Sequence, residues 1–536
     1  MSSYLELAPR DILEHIAFLV VEPSDPQVLI PLQGLLNLLL TSPTLYHSLC
    51  PSSAPHLYAR IFCSTFDLDQ NGIHGDAERI TDSGLTVDLI SRYRLLRRVR
   101  HCDLSTNMML EDLCVAMRIV IQSAGVNESH LRSAGFSDFC FAYARHCLAK
   151  CQLGEERASM STTETSLILW LLTLTWSRDD VSKLTQDTRE QFLVLLRSLV
   201  LQNTQEHEVN EVVRATHSPT AEFDTSLPSA CSAAIILYCA LQEAGAPKSG
   251  PRILFGRIVN LGNDDREGSR MEDFCKMTNY QTPLFGDDFP GPGTRPRVLN
   301  SIRHDPQFFN AKLPGSNAYR CLPNVITGLW EGIYMVKLSV TLVPECTPDD
   351  LLVTQVSCAH INKEVSTSPS TPDFICKKSL QCSLEFFFDL GKYDGPDLLV
   401  PESIRDAVSQ WAVMPRNFSA EEDCLVIEGR KTPYEKFAIN RDYSQALDCL
   451  VFGQTEQDHD RACGGFTFAG RMERDGTIVL KREPKNTSDA DLGTWIFEGN
   501  IRYRSVFAGK WSSSPNGGIH GVFSLKKVPR CSQDEG

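Results

Sequence analysis

The sharpest chemical pattern in the chain is DLDQNGIHGDAE, Asp67 to Glu78, which has the spacing of a calcium-binding loop. Asp67, Asp69 and Asn71 stand at alternate positions, Gly72 supplies the turn, and Glu78 closes the loop as a bidentate carboxylate. Against calcium stand His74, at a position where an apolar residue normally pairs two such loops, and the lack of a second loop in the sequence. A solvated loop ending a helix is the simpler reading, so no metal is expected. RYRLLRRVRH puts Arg92, Arg94, Arg97, Arg98 and Arg100 on one helix. Such a run could grip a phosphate or an acidic partner, but a solvated face paired with local carboxylates is the expectation. HEVNE, from His207, lacks the second histidine of a zinc-protease helix. QDHDRA, around His459, reads as an acidic loop between strands and a poor cation site. Phosphate-cradling GxxxxGK[ST], dinucleotide GxGxxG and nucleophile-elbow GxSxG patterns do not occur. A non-catalytic protein without cofactor is therefore expected.

Composition narrows the class further. The chain has 536 residues, enough for two to four domains, and 42% of them are hydrophobic, enough for proper cores. A net charge of −15 argues against a general binder of nucleic acid or of anionic membranes. The 19 cysteines are scattered, odd in number and without a CxxC pair. Cys140, Cys147 and Cys151 fall on one helix face and read as small core residues. Free thiols in a reducing compartment, cytoplasmic or nuclear, follow as the expectation. Glu6, Asp11 and Glu14 interrupt the first apolar stretch, so no signal peptide is expected, and LLNLLL and LILWLLTLTW are too short to span a bilayer.

The elements that would position any site fall into an α+β order. At the N-terminus, Pro9 and Asp11 suit a helix start, and Ile12, Leu13, Ile16, Leu19 and Val20 recur at helical spacing. Leu32, Leu35, Leu36, Leu39 and Leu40 make a second helix. Ser42-Pro43 caps a third with Leu45 and Leu49, and Pro55 opens a fourth with Leu57, Tyr58, Ile61 and Phe62. Helices this short hide little of their own apolar surface, so residues 1–63 read either as a corner of a larger core or as a docking module. Residues 64–245 carry further helical patterns without a fixed repeat, an irregular helical array. Residues 246–325 are dense in Gly and Pro and read as an ordered connector. From about Trp330 to residue 530 the period becomes two: Phe466 with Phe468, Ile478 with Leu480, Trp495 with Phe497, Ile501 with Tyr503, and Phe523 with Leu525. Asp475-Gly476 and Asn516-Gly517 are hairpin turns, and repeated strand glycines suit tight bends. A meander of this kind can lose its free edges by closing, which predicts an antiparallel β-barrel. Residues 531–536 form a tail.

Leu7-x-Pro9 followed by DILEHIAFL, a Leu-rich second helix, SPTLYHSL and HLYARIF resembles an F-box. Its departures are the spread Leu7-Ala8-Pro9 opening, Tyr46 in place of the usual Trp, and the inserted VEPSDPQVLIP. With GLWEGIY and GTWIFEGNIRY near the end, the whole chain is similar to a group of fungal, basidiomycete-type F-box proteins with a C-terminal β domain. GLWEGIY is also similar to the Gly-x-Trp opening of lipocalin-like barrels, which implies a barrel closed at one end by Trp330. The F-box resemblance implies docking on a Skp-family protein through Leu7, Pro9, Ile12, Leu13, Ile16, Leu36, Leu39, Leu40 and Leu45. Through it the chain would join a cullin–RING ubiquitin ligase and select a protein substrate with its β domain. Such an adaptor raises the effective concentration of a substrate lysine near charged ubiquitin and does no chemistry itself. The alternative is a small-molecule binding protein whose barrel encloses an apolar ligand among Trp330, Phe466, Phe468, Trp495, Phe497 and Tyr503. Small barrels are more often filled by their own side chains.

Overall fold

A computed structural model describes residues 5–21, 33–67, 81–105, 108–123, 125–153, 162–202, 230–245, 252–254, 257–259, 282, 284, 326–337, 374–391, 418–421, 424–427, 429–438, 441–474, 476–485, 493–502, 505–512 and 520–528. The chain divides into two compact units, the first made chiefly of residues up to Leu195 and the second chiefly of residues 231–283 and 305–536. Among the described residues no helix is long and apolar enough to cross a membrane.

The first unit opens with α1 (Arg10–Val21), α2 (Gln33–Leu40), α3 (Pro43–Leu49) and α4 (Pro55–Thr65). Helix α1 begins just after Pro9, whose carbonyl accepts from the Leu13 amide at 3.1 Å. Ser42 caps α3 by accepting from the Thr44 amide, with Pro43 in the first turn; α4 likewise starts on its proline. The Tyr58 hydroxyl donates to the Leu49 carbonyl at 2.9 Å and ties α4 to α3. Arg60 lies 3.8 Å over the Phe18 ring and joins α4 to α1. At Gly34 a Cβ would fall 2.6 Å from a Val20 methyl, so glycine lets α2 approach α1 closely. Beyond these lie α5 (Asp82–Arg100), α6 (Met109–Ile121), α7 (Val126–Ser133), α8 (Phe136–Leu153), α9 (Thr162–Thr175), α10 (Arg178–Lys183) and α11 (Gln186–Gln202), the last of which runs on into the second unit. Cys140 and Cys147 on α8 are buried, and burial pushes the Cys140 thiol up.

In the second unit come α12 (Ala230–Gly245) and a two-stranded ribbon, β1 (Arg252–Leu254) with β2 (Arg257–Val259). They are followed by β3 (Gly328–Lys337), β4 (Phe374–Asp389), β5 (Phe418–Glu421), β6 (Cys424–Ile427), β7 (Arg430–Lys436), β8 (Asp448–Thr455), α13 (Gln457–Cys463), β9 (Phe466–Met472), β10 (Thr477–Pro484), β11 (Trp495–Arg502), β12 (Val506–Ser512) and β13 (His520–Lys527). Strands β8 to β13 run as a meander; β13 pairs with β3, β3 with β4, and β4 with β8. The result is a closed, antiparallel, eight-stranded barrel. Its interior holds Trp330, Phe466, Phe468, Ile478, Leu480, Phe497, Ile501, Phe523 and Leu525, the inward faces that the alternation predicts. Strong curvature brings backbones together at Gly499 and Gly509, which are register partners. A Cβ at Gly509 would lie 2.0 Å from the Glu498 carbonyl oxygen and 2.5 Å from the Gly499 Cα.

Strand β4 continues past β3 and pairs with β7, so β5–β6–β7 fold over the outer face of the barrel. Phe386 and Phe388 point inward, while Phe387 packs outward with Leu425, Ile427, Tyr434, Leu450 and Phe452. Both faces of β4 are buried there, which explains three consecutive phenylalanines. The segment around His459, expected as an acidic loop, is instead the short helix α13. Glu456 occupies its N-cap, and Asp458 and Asp460 sit in its first turn, where the helix dipole favours carboxylates. Asp460 pairs with Lys485 at 2.7 Å. The Asn516-Gly517 turn lies outside the described residues, as does most of the 246–325 connector.

Candidate functional site

Helix α1 carries two apolar stripes. Leu13, Ala17 and Val21 face inward and are buried, Leu13 with 4% of its surface exposed. Ile12, Leu19 and Val20 face outward and are exposed, with Ile16 half-buried between. The neighbouring helices repeat this division. Leu35, Leu45 and Leu49 are buried, Leu39 is half-buried, and Leu36, Leu40 and Tyr46 are exposed. Leu7, just ahead of α1, is 72% exposed and Leu40, at the end of α2, is 73% exposed. Seven of the thirteen large apolar side chains exposed among the described residues thus belong to residues 7–46. A fold leaving this much greasy surface on one small module marks it as the candidate site.

Of the nine residues expected to meet a partner, Leu13 and Leu45 serve the core of the chain itself. Pro9, Leu7, Ile12, Leu36 and Leu40 are open to solvent, and Ile16 and Leu39 lie at the boundary. Leu19, Val20 and Tyr46 join the exposed set. The stripe Ile12, Ile16, Leu19, Val20 is legible in helical spacing, but spacing alone does not say which stripe turns inward. A polar cluster joins α1 to the start of α4. Arg10 Nε donates to Glu14 Oε1 at 2.8 Å, and the other carboxylate oxygen of Glu14 bonds His56. Arg10 also donates to the Ser53 carbonyl. Partial burial of Glu14 would raise its carboxyl, but His56 and Arg10 outweigh it and hold the group below the usual range.

The arginine run on α5 is partly a correction. Arg94 and Arg98 do pair with carboxylates: both reach the fully buried Asp112, at 3.0 and 2.8 Å, and Arg94 also reaches Glu111. Arg92 is not on a solvated face. It is buried, lies 4.6 Å over the Phe62 ring and 5.0 Å over Phe66, and donates to Gln122 at 2.5 Å and to Asn127 at 3.3 Å. Burial brings its guanidinium down to about 10. Asp67, the first residue of the calcium-like loop, caps α7: its Oδ2 accepts from the Val126 and Asn127 amides at 2.9 and 3.0 Å. Asp69, Asn71 and Glu78 lie outside the described residues.

Of the residues expected to line a barrel pocket, Trp330, Phe466, Phe468 and Phe497 are buried together and Trp495 is half-buried against them; Tyr503 lies outside the described residues. Trp330 lies near the start of β3, its indole Nε1 donating to the Ile326 carbonyl at 2.8 Å. Rings meet within the interior: Trp495 stacks on its neighbour Trp511 with centroids 4.3 Å apart, Phe507 meets Phe523 edge-on at 4.7 Å, and Tyr334 of β3 reaches Trp495 of β11 at 5.1 Å. Sequence reasoning missed Arg482. It points inward from β10 with 1% of its surface exposed. Its guanidinium lies 3.6 Å from the Trp495 ring centroid and 3.9 Å from that of Phe466. Burial lowers its pKa, and a hydrogen bond to Tyr334 opposes the shift. In comparisons with known proteins the chain matches no family model, no curated protein and no solved structure.

Proposed function

We propose that the protein is the substrate-selecting adaptor of a Skp–cullin–F-box ubiquitin ligase. Its N-terminal helices would dock on a Skp-family protein, and its barrel domain would present the substrate. The observation that carries this reading is the exposed apolar set Leu7, Ile12, Leu19, Leu36, Leu40 and Tyr46 on α1–α3 and the residues ahead of them. A docked partner would remove that surface from water at about 25 cal/mol per Å2 of apolar area, before the costs of association. The F-box resemblance supplies the identity of the partner. The full chain mixed with a purified Skp-family protein should elute with it as one complex in gel filtration, and Leu40→Asp should elute apart from it. Separate elution of the unaltered chain would refute the proposal.

Arg482 favours a second reading, in which the barrel binds a small apolar molecule with an anionic group. A guanidinium inside an aromatic barrel interior suits a carboxylate head, and the half-buried Trp495 packs on that guanidinium. Titration with dodecanoate should then quench tryptophan fluorescence saturably, and Arg482→Gln should abolish the effect. An unchanged spectrum for the unaltered chain speaks against this reading.

A further inference from the structure

We infer that Ser42 is a phosphorylation site that controls the docking face; the inference rests on the adaptor reading. Ser42 is followed by Pro43 in the run Leu40-Thr41-Ser42-Pro43-Thr44. Ser-Pro is the minimal target of proline-directed protein kinases, which take the serine in extended backbone. Ser42 is already extended, with φ −157° and ψ 139°, as a residue before proline tends to be. Its neighbours Thr41, Pro43 and Thr44 are exposed.

What makes the position a switch is the group facing it. The Ser42 hydroxyl donates to the carboxylate of Glu6, which lies in the turn that carries Leu7. This bond ties residues 5–8 to the start of α3. In the kinase reaction Ser42 Oγ attacks the γ-phosphorus of a nucleoside triphosphate. A new O–P bond forms, the bond to the β–γ bridging oxygen breaks, the diphosphate departs, and the hydroxyl proton goes to the base of the kinase. The donor is thereby replaced by a phosphate of charge about −1.5 to −2. A carboxylate at hydrogen-bond distance from such a group is repelled, so the attraction holding residues 5–8 changes sign. Leu7 leaves its place, and the docking face loses one edge.

The test uses the full chain, a purified proline-directed kinase and magnesium ATP, with hydrogen exchange and binding to a Skp-family protein as separate readouts. Phosphate should be found on Ser42 by mass spectrometry. Amide exchange should then quicken in peptides spanning residues 5–9, where the Ala8 amide is bonded to the Leu5 carbonyl. Affinity should fall about tenfold, as it would if the ordered segment were populated one time in ten. Glu6→Gln keeps an acceptor for the hydroxyl but removes the charge, so its phosphorylated form should keep slow exchange and most of its affinity. The inference is overturned if the folded chain takes no phosphate at Ser42, if exchange at residues 5–9 is unchanged after modification, or if exchange rises while affinity holds. Should the unmodified chain show no affinity for the Skp-family protein, the adaptor reading fails by itself, and exchange alone then decides whether Ser42 is the switch.

Discussion

Leu13 and Leu40 have the same side chain and opposite duties, and the difference can be measured. Leu13 is sealed in the core of the first unit, so Leu13→Asp would bury an unpaired carboxylate and should cost about 4 kcal/mol of stability, read as a lowered denaturation midpoint. Leu40 is exposed, so Leu40→Asp should change stability by no more than ~0.5 kcal/mol and show its effect only in partner binding. A second residue-level prediction concerns His130. It is buried, its Nε2 bonds the Thr65 carbonyl at 2.8 Å, and its Nδ1 meets no hydrogen-bond partner among the described residues. Burial lowers its pKa; Arg100 and Arg92 push the same way, while the Thr65 bond and Asp67 push back. The folded chain therefore binds this proton less readily than the unfolded chain, where histidine titrates near pH ~6.5. Stability from His130 is complete above that pH and is lost as the pH falls through and below it. Thermal melts followed by circular dichroism between pH 7.5 and 5.5 should show a steeper acid loss for the unaltered chain than for His130→Gln. Equal slopes would contradict this assignment.

At the scale of elements, much is legible in the order of residues alone. Three of the first four helices begin at or just after a proline, and the inward residues of β9 to β13 follow a strict period of two. The strand period is legible because residues that face the interior, such as Phe466, Phe468 and Leu480, alternate with polar or charged ones, such as Thr467 and Lys481. What the sequence hides are places where such a pattern fails. Phe387 points to the outer face of the barrel because β5–β7 cover it, so no alternation marks it. Arg92 and Arg482 are charged yet buried, each against aromatic rings and hydrogen-bond partners that come from other elements. The exposed apolar face of the first helices is half legible. Helical spacing yields the stripes of α1, but only packing against α4 shows that Leu13 turns inward and Ile12 outward. The strand glycines can be tested directly. Gly509→Ala would force β11 and β12 apart, so it should destabilise the barrel by about 2 kcal/mol in a denaturant titration. A neutral result would mean that the two backbones have room for a methyl group between them.

For the whole molecule, a helical module with an uncovered apolar face is joined to a barrel whose interior is crossed by its own aromatic rings. The proposed adaptor would attach by the first and present its substrate on the second. The adaptor claim is tested most directly by titration calorimetry of the full chain against a purified Skp-family protein. Binding should be micromolar or tighter, a free energy of about −8 kcal/mol. The double variant Leu36→Asp with Leu40→Asp should lose at least about a hundredfold in affinity, near 2.7 kcal/mol, while its melting temperature stays unchanged. An intact, folded chain that gives no binding heat and no complex, or a double variant that binds as tightly as the unaltered chain, would contradict the account.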